Sequence, residues 1–122
     1  MASRPRRVLV VDDNRDAADA LTILLRIWGH DVETATSGAE AIRLAEQANP
    51  EIILMDLGMP IMNGYEAAQR ILERPGRAQI MLIALTGWGQ EADRHRTQAA
   101  GFQHHLTKPV NVEQLQKLIT AL

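Results

Sequence analysis

The chain has 122 residues and a formal net charge of -2, with 46% hydrophobic and 23% charged residues, which predicts one globular domain with its own core. The near-neutral charge and the 3% of aromatic residues argue against direct nucleic-acid binding, and the lack of cysteine excludes disulfides and cysteine-based metal sites or nucleophiles. No apolar run is long enough to span a membrane, and the basic start does not read as a signal peptide, so we expect a cytoplasmic protein. We expect a flexible basic N-terminal arm over residues 1–7 and one domain over residues 8–122.

The first strand and helix have clear boundary residues. Val8–Val11 is a short apolar run that ends at two carboxylates, Asp12 and Asp13. Asn14 is a good helix N-cap, and Gly29 is suited to end the helix that follows. The apolar face predicted for this helix consists of Ala17, Leu21, Leu24, Leu25 and Trp28.

The next three elements lead to the centre of the chain. Asp31–Thr36 alternates and is rich in β-branched residues, which predicts a strand. Ser37 and Glu40 fit a capping box at the start of a helix that ends before Pro50. Ile52–Asp56 is then a short apolar run bounded by loop signals, which is typical of a strand buried on both faces of a parallel sheet.

The second half of the chain repeats this alternation. Its predicted elements are a helix at Tyr65–Glu73, a strand at Ile80–Leu85, a helix at Gln90–Ala100 that Gly101 ends, a strand at His104–Leu106 and a helix from the cap Asn111 to Leu122. The helix over 90–100 has only alanines as apolar anchors (Ala92, Ala99 and Ala100), so we expect it to be among the least tightly held elements. Five strand–helix repeats predict an α/β fold, with five parallel strands and helices on both faces.

Polar residues stand at the carboxyl ends of four predicted strands, which share one edge of a parallel sheet. They are Asp12 and Asp13, then Asp56, Thr86 and Lys108. Because three carboxylates repel one another and one lysine cannot balance them, we expect a hard divalent cation such as Mg²⁺. The Asp56 carboxylate could attack phosphorus, with Mg²⁺ and Lys108 neutralising the phosphoryl oxygens and the Thr86 hydroxyl donating a hydrogen bond.

As a set, these residues resemble the receiver domain of two-component response regulators. The resemblance covers residues 8–122 and rests on Asp12-Asp13, on Asp56 followed by Pro60 and Gly64, on Thr86, and on Lys108-Pro109. It implies a flavodoxin-like (βα)₅ fold with strand order 2-1-3-4-5. It also implies a cytoplasmic signalling protein that is phosphorylated on an aspartate and has no separate substrate. The segments around Thr86 and Lys108 look most like receivers attached to hybrid histidine kinases.

The resemblance implies a phosphoacceptor and a metal site. Asp56 would accept a phosphoryl group from a phosphohistidine on a histidine kinase or histidine phosphotransfer protein. The side chains of Asp13 and Asp56 and the backbone carbonyl of Gly58 would hold Mg²⁺, with Asp12 acting through water. Gly58 offers no side chain to steer an attacking water, so the lifetime of the phosphoryl group does not carry over from the family.

The resemblance also implies a route for the signal. Thr86 and Lys108 would contact the phosphoryl group, and the Lys108–Pro109 peptide bond would be cis. The face made by the fourth helix, fifth strand and fifth helix would then signal to an effector protein or to a fused output or kinase domain. Two positions stand out against the family. His105 stands where Tyr or Phe is common, so the movement that follows phosphorylation is expected to be smaller and pH-dependent. Trp88, two residues after Thr86, could shield the phosphoryl group.

Two other functions fit parts of the pattern. A Mg²⁺-dependent phosphatase or phosphotransferase could also use Asp56 as its nucleophile, but the haloacid-dehalogenase-like type has a second Asp where Gly58 stands and a cap insertion that this chain lacks. A flavodoxin-like cofactor binder would have a phosphate-binding loop after the first strand, where the carboxylates of 12–13 would repel a phosphate. His104 and His105, as strand neighbours, point to opposite faces and are not expected to share a metal.

Overall fold

The computed structural model describes residues 4–59, 63–74, 79–87 and 94–122, without the side chains of 94–96. Along these residues five strands and five helices alternate: β1 (Arg7–Val11), α1 (Arg15–Ile27), β2 (Asp31–Ala35), α2 (Gly38–Ala48), β3 (Ile52–Asp56), α3 (Gly64–Leu72), β4 (Met81–Thr86), α4 (Arg94–Ala99), β5 (Phe102–Thr107) and α5 (Val112–Ala121). The predictions for Pro60 and Trp88, and the predicted helix start at Gln90, lie outside the described residues.

All neighbouring strands are parallel, in the order β2-β1-β3-β4-β5, which confirms the predicted topology. β3 lies at the centre, and all five of its residues are buried. Its last residues pair with both neighbours, Met55 with Val11 of β1 and Asp56 with Leu85 of β4. Asp56 therefore lies at the carboxyl edge of the sheet, between the ends of two other strands. Among the described helices, none is long and apolar enough to cross a membrane.

Two apolar clusters cover the two faces of the sheet, as predicted for helices on both sides. On one face, side chains of α2 and α3 such as Ala45 and Ile71 pack on Ile53 and Met55 of β3. On the other face, side chains of α1 and α5 such as Leu25 and Ile119 pack on Ile52 and Leu54. The continuous apolar run of β3 is thus explained by burial on both sides of the sheet.

Four helices begin at capping side chains. Asn14, Ser37, Asn63 and Asn111 each accept a hydrogen bond from the backbone N–H three residues later, at 2.9–3.1 Å. Each cap contributes roughly 1 kcal/mol to helix stability. The capping box at Ser37 is only half as predicted: the Glu40 carboxylate accepts from the backbone N–H of Thr36, at 2.8 Å, instead of from that of Ser37.

The buried face of α1 agrees with the predicted one in part. Leu25 is buried, and the half-buried Leu21 and Trp28 pack against the same core, as predicted. Ala18 and Thr22 are also buried but are not part of the predicted face, since a threonine reads as polar in sequence. Thr22 is tolerated there because its hydroxyl makes a 2.8 Å hydrogen bond with the hydroxyl of Thr34.

The β5 strand is longer than predicted and extends over Phe102–Thr107. Its pairing with β4 is irregular: Phe102 pairs with Leu82, but His104 pairs with Ile83. This extra residue shifts the alternation of β5, so that Phe102 packs into the α2–α3 core while Leu106 packs into the α1–α5 core. The polar residues between them explain why the sequence pattern predicts only the His104–Leu106 part of this strand.

The described part of α4 is held by a different residue from those predicted. Thr97 is fully buried, whereas Ala99 is exposed and Ala100 is half-buried, so the prediction of alanine anchors is wrong at Ala99. Ala92 lies outside the described residues. Gly101 ends the helix with φ +98°, as predicted for a glycine C-cap.

The N-terminal segment joins the fold earlier than its predicted boundary. Arg7 is the first residue of β1, and the Arg6 carbonyl accepts the N–H of Asp31 at 2.9 Å. Arg4 forms a 2.9 Å ion pair with Glu51. The predicted flexible arm therefore stays a prediction for residues 1–3 alone, which lie outside the described residues.

Candidate functional site

Backbone hydrogen bonds carry the sheet beyond the strand ends and fix the residues of the site. The N–H of Asp12 donates to the Ala35 carbonyl at 3.1 Å, and the N–H of Lys108 donates to the Thr86 carbonyl at 2.7 Å. Asp12, Asp56 and Thr86 are 0%, 5% and 6% exposed. The sheet therefore presents these side chains from rigid, buried positions, which suits a preorganised site.

The three predicted carboxylates do come together. Asp12, Asp13 and Asp56 each present a carboxylate oxygen within 4.8 Å of the others. Asp12 and Asp56 are buried, whereas Asp13 is exposed at the mouth of the cluster. Three carboxylates at this spacing supply the oxygen ligands that Mg²⁺ prefers, so the residues present fit such an ion.

Lys108 is the cation of the cluster. Its Nζ lies 2.7 Å from Asp12 Oδ2 and 3.3 Å from Asp56 Oδ2. The other oxygens of these two carboxylates accept backbone N–H groups, that of Asn14 at 3.0 Å for Asp12 and that of Gly58 at 2.9 Å for Asp56. Each buried carboxylate is therefore held in one orientation by a backbone donor on one oxygen and the ammonium on the other. The part played by the Asn14 N–H cannot be read from the sequence, which identifies Asn14 only as a helix cap.

The charges of the site shift the pKa values of two groups. Burial is the largest cause that raises the pKa of Asp56, and the nearby Asp12 and Asp13 raise it further, against the lowering effects of the Gly58 N–H and Lys108. Burial also disfavours the charge of Lys108, but its contacts with Asp12 and Asp56 outweigh burial and raise its pKa. The ionised Asp56 is thus the strained group of the cluster, and additional positive charge would stabilise it.

Gly64 permits the close approach of α3 to the site. A Cβ atom at this position would lie 2.4 Å from the backbone oxygen of Asp56 and 2.9 Å from the Cα of Leu57. The first turn of α3 therefore rests directly on the backbone of the phosphoacceptor candidate. The sequence pattern includes Gly64, but the reason for a glycine there is this close packing in the folded protein.

The remaining predicted residues lie on β4 and β5 or directly after β5. Thr86 ends β4 beside the cluster, and His105 pairs with Ala84, two residues before Thr86, so His105 and Thr86 lie on the same face of the sheet. His105 is half-buried. The Lys108–Pro109 peptide bond is cis.

A groove, which the sequence did not indicate, opens beside Lys108. It has a volume of about 880 Å³ and lies between α1 and the segment that joins β5 to α5. Its walls include Asp12, Leu21, Leu24, Lys108, Pro109 and Val110, and two of its residues, Ile23 and Val112, are 59% and 51% exposed. Ile27, one turn further along α1, is 73% exposed. Exposed apolar side chains that line a groove are typical of a surface for a partner.

The chain belongs to the response regulator receiver domain family, whose family model matches residues 8–120. Protein PilH of Pseudomonas aeruginosa is 36% identical over 116 residues, which cover 95% of this chain and 96% of PilH. The signal transduction histidine-protein kinase BarA of Escherichia coli is 33% identical over 112 residues, which cover 92% of this chain but only 12% of BarA. The chain thus functions as a receiver domain of two-component signal transduction, a class that occurs both alone and within longer proteins.

Solved structures share this fold. The chemotaxis protein CheY4 of Vibrio cholerae superposes with a TM-score of 0.89 at 29% identity, covering 97% of this chain and 98% of that one. The receiver domain of the sensor histidine kinase PA1611 of Pseudomonas aeruginosa, with a magnesium ion coordinated in its active-site cleft, superposes with a TM-score of 0.85 at 30% identity and covers 97% of both chains. A chain from the co-crystal of the Saccharomyces cerevisiae phosphotransfer protein Ypd1 with the receiver domain of Ssk1 superposes with a TM-score of 0.85 at 30% identity, covering 98% and 90%.

Proposed function

We propose that Asp56 is the phosphoacceptor of this receiver domain and takes its phosphoryl group from a phosphohistidine. The observation that carries the proposal is the orientation of Asp56, with Oδ1 held by the Gly58 N–H at 2.9 Å and Oδ2 lying 3.3 Å from the Lys108 ammonium. A carboxylate oxygen forms the new bond to phosphorus as the phosphorus–nitrogen bond of the donor breaks and the bonding electrons return to the imidazole. Lys108 stabilises the negative charge on the transferring group.

The carboxylate cluster is proposed to hold Mg²⁺. Asp13, Asp56 and the carbonyl of Gly58 would bind it directly, while Asp12, whose Oδ2 is only 2.7 Å from Lys108, would act through water. When bound, the ion neutralises oxygens of the phosphoryl group. The magnesium ion in the cleft of the similar PA1611 receiver supports this assignment.

The apolar groove beside Lys108 is proposed to receive the helix that carries the phosphohistidine of a histidine kinase or phosphotransfer protein. One end of the groove is formed by Asp12 and Lys108, so a helix lying in it would bring a side chain to the edge of the phosphoacceptor site. Ile23 and Val112 would cover the apolar face of that helix, the usual way in which a groove binds an amphipathic helix. The similar chain from the Ypd1–Ssk1 co-crystal supports a phosphotransfer protein as partner.

The signal is proposed to leave through Thr86. Its hydroxyl can donate to a phosphoryl oxygen if it moves toward Asp56, and His105 lies on the same face of the sheet, where it would follow this movement. The described end of α4 and the outer surfaces of β5 and α5 would then present the changed state to an effector protein, or to an output or kinase domain in a longer chain. Gly58 offers no side chain to orient water, so we propose only slow self-dephosphorylation, in a cytoplasmic protein that has no separate substrate.

Phosphoramidate with Mg²⁺ tests this proposal directly. Intact-mass measurement should show one added phosphoryl group that is lost in base, and neither Asp56→Asn nor wild-type protein in excess chelator should show it. Asp19→Asn, which neutralises an exposed carboxylate of α1, is the matched control and should react like wild type. Phosphorylation of Asp56→Asn at the wild-type rate would refute the assignment.

A further inference from the structure

A second charged cluster lies at the opposite edge of the sheet, where β1 and β3 begin. Arg4 Nη2 lies 2.9 Å from Glu51 Oε2, Arg6 Nη1 lies 3.8 Å from the same oxygen, and Arg7 Nη1 lies 3.8 Å from Oε1. Three guanidinium groups therefore share one carboxylate, which leaves an excess of positive charge. Strands of this length separate the cluster from Asp56 by roughly 17 Å.

Arg6 is the least satisfied of the three arginines. Its side chain is only 14% exposed, and its contact with Glu51, at 3.8 Å, is longer than a hydrogen bond. Its Nε is buried and has no acceptor among the residues that the structure describes. The backbone of Arg6 is fixed on both sides, since its N–H donates to Nδ1 of His30 at 3.0 Å and its carbonyl accepts from Asp31 at 2.9 Å. Because a buried donor without an acceptor is costly, the Nε of Arg6 calls for an acceptor from outside this set of residues.

A cleft adjoins these arginines. It has a volume of about 340 Å³ and is bounded by two kinds of side chain. Its polar lining includes Arg6, Arg7, Asn49, Glu51 and Gln79, and its apolar lining includes Pro50, Ile80, Met81 and Leu122. Two arginines against one glutamate leave the lining with net positive charge, and the combination with apolar residues fits a ligand with an anionic head and a small apolar body.

We propose that this cleft binds a small organic anion, whose carboxylate or phosphate is held by Arg6 and Arg7 and whose apolar part packs against Ile80 and Met81. Guanidinium groups match the geometry of both anions and can donate two parallel hydrogen bonds to either. Glu51 keeps the arginines aligned: although burial raises its pKa, the Arg7 N–H and the Arg4 and Arg7 side chains outweigh burial and lower the pKa, so it stays ionised at neutral pH. The cleft is remote from the phosphoacceptor edge, so this binding does not depend on the function proposed above.

The experiment is a titration of ¹⁵N-labelled protein with phenyl phosphate, without Mg²⁺, followed by amide chemical shifts. Saturable shifts are expected at Arg6, Arg7, Glu51 and Gln79, with a Kd of about 1 mM that rises with salt. Arg6→Gln should weaken binding about tenfold, whereas Arg43→Gln, which removes an exposed arginine from α2, should not change it. Benzoate in place of phenyl phosphate decides which anion is preferred, and phenol measures binding by the apolar body alone.

Four results would overturn the proposal. The first three are a lack of saturable shifts at these amides, equal affinity in wild type and Arg6→Gln, and binding of phenol as tight as that of phenyl phosphate. Shifts confined to the surroundings of Asp56 would also overturn it, because they would place the anion at the other edge of the sheet. If Arg6→Gln does not give a wild-type melting curve, Arg7→Gln serves as the second variant, since Arg7 is 54% exposed and its loss leaves Arg6 in place.

Discussion

Asp56→Asn should stabilise the protein without Mg²⁺ and should lose this advantage when Mg²⁺ is added. The carboxylate oxygens of Asp56 and Asp12 lie at most 4.8 Å apart, so at an effective dielectric constant of about 20 these charges repel by at least roughly 3.5 kcal/mol. Charges 3.3 Å apart, the distance from Asp56 to the Lys108 ammonium, attract by roughly 5 kcal/mol. The exposed Asp13 adds a screened repulsion, so the attractive and repulsive Coulomb energies of Asp56 nearly cancel. Burial of the Asp56 charge therefore decides whether its removal stabilises or destabilises the protein. Asparagine keeps an oxygen for the Gly58 N–H and removes that charge, which should raise the free energy of unfolding by about 1–2 kcal/mol.

The stability difference between Asp56→Asn and wild type should depend on pH. A carboxyl whose pKa is raised in the folded state destabilises the fold once it ionises, so the advantage of Asp56→Asn should be present at pH 7 and should disappear as the pH falls below the unfolded-state pKa of about 3.8. Urea denaturation at pH 7 and pH 3.5 measures this pH dependence, and the same measurement with Mg²⁺ at 10-fold its Kd measures the effect of the ion. Asp19→Asn is the control. At 10-fold excess, binding to wild type alone would add about 1.4 kcal/mol, which offsets the advantage of the variant. A clear loss of stability in Asp56→Asn at pH 7 without Mg²⁺ would refute the reasoning.

Three further changes test other parts of the structure. Lys108→Met should lower the free energy of unfolding by about 2–4 kcal/mol at pH 7, because it leaves Asp12 buried without its ammonium partner. Since the folded-state pKa of Lys108 is raised above 10.5, the full difference should be present below pH 10.5 and should shrink above it. Urea denaturation at pH 7 and pH 11 checks this. Gly64→Ala should lower the free energy of unfolding by about 1–3 kcal/mol and slow phosphorylation by phosphoramidate. Gly29→Ala is the control: its Cβ meets nothing within 4 Å, so it should lower the free energy of unfolding by about 1 kcal/mol and leave phosphorylation unchanged. Ile23→Asp should slow phosphotransfer from a protein donor about tenfold or more without changing the rate with phosphoramidate; equal slowing with both donors would contradict a role in docking.

The sequence predicts the sheet and the clustering of its polar strand ends well, because both depend on residues that carry their own local signals. The β3 strand is an apolar run that ends in Asp56, and the carboxyl ends of parallel strands share one edge of the sheet. The strand order, which places β1 and β4 beside β3, comes from the family resemblance and not from the local pattern. The sequence predicts the full extent of β5 and the complete buried face of α1 less well, because tertiary contacts add to the local pattern there. Thr22 is buried only because Thr34 lies within hydrogen-bond distance, and the pairing irregularity of β5 opposite Leu82 has no local signature.

The charge balance of the site suggests how its state is transmitted. Asp12, Asp13, Asp56 and Lys108 together carry a formal charge of -2, which one Mg²⁺ brings to zero. Conversion of the Asp56 carboxylate into an acyl phosphate dianion then changes the total by only one unit, and the Debye length of about 8 Å in physiological salt screens such a change at the outer surface. The charge itself is therefore a weak signal, and the information lies in the new acceptor oxygens, which can draw a nearby hydroxyl such as that of Thr86 into a directed hydrogen bond. Thr86 ends a strand that lies between β3 and β5, and it pairs with Thr107 of β5. In the proposed function, a movement of Thr86 would therefore pass to β5, the edge strand of the sheet. The centre of the sheet would hold the chemistry, and this edge is where a partner would detect the result.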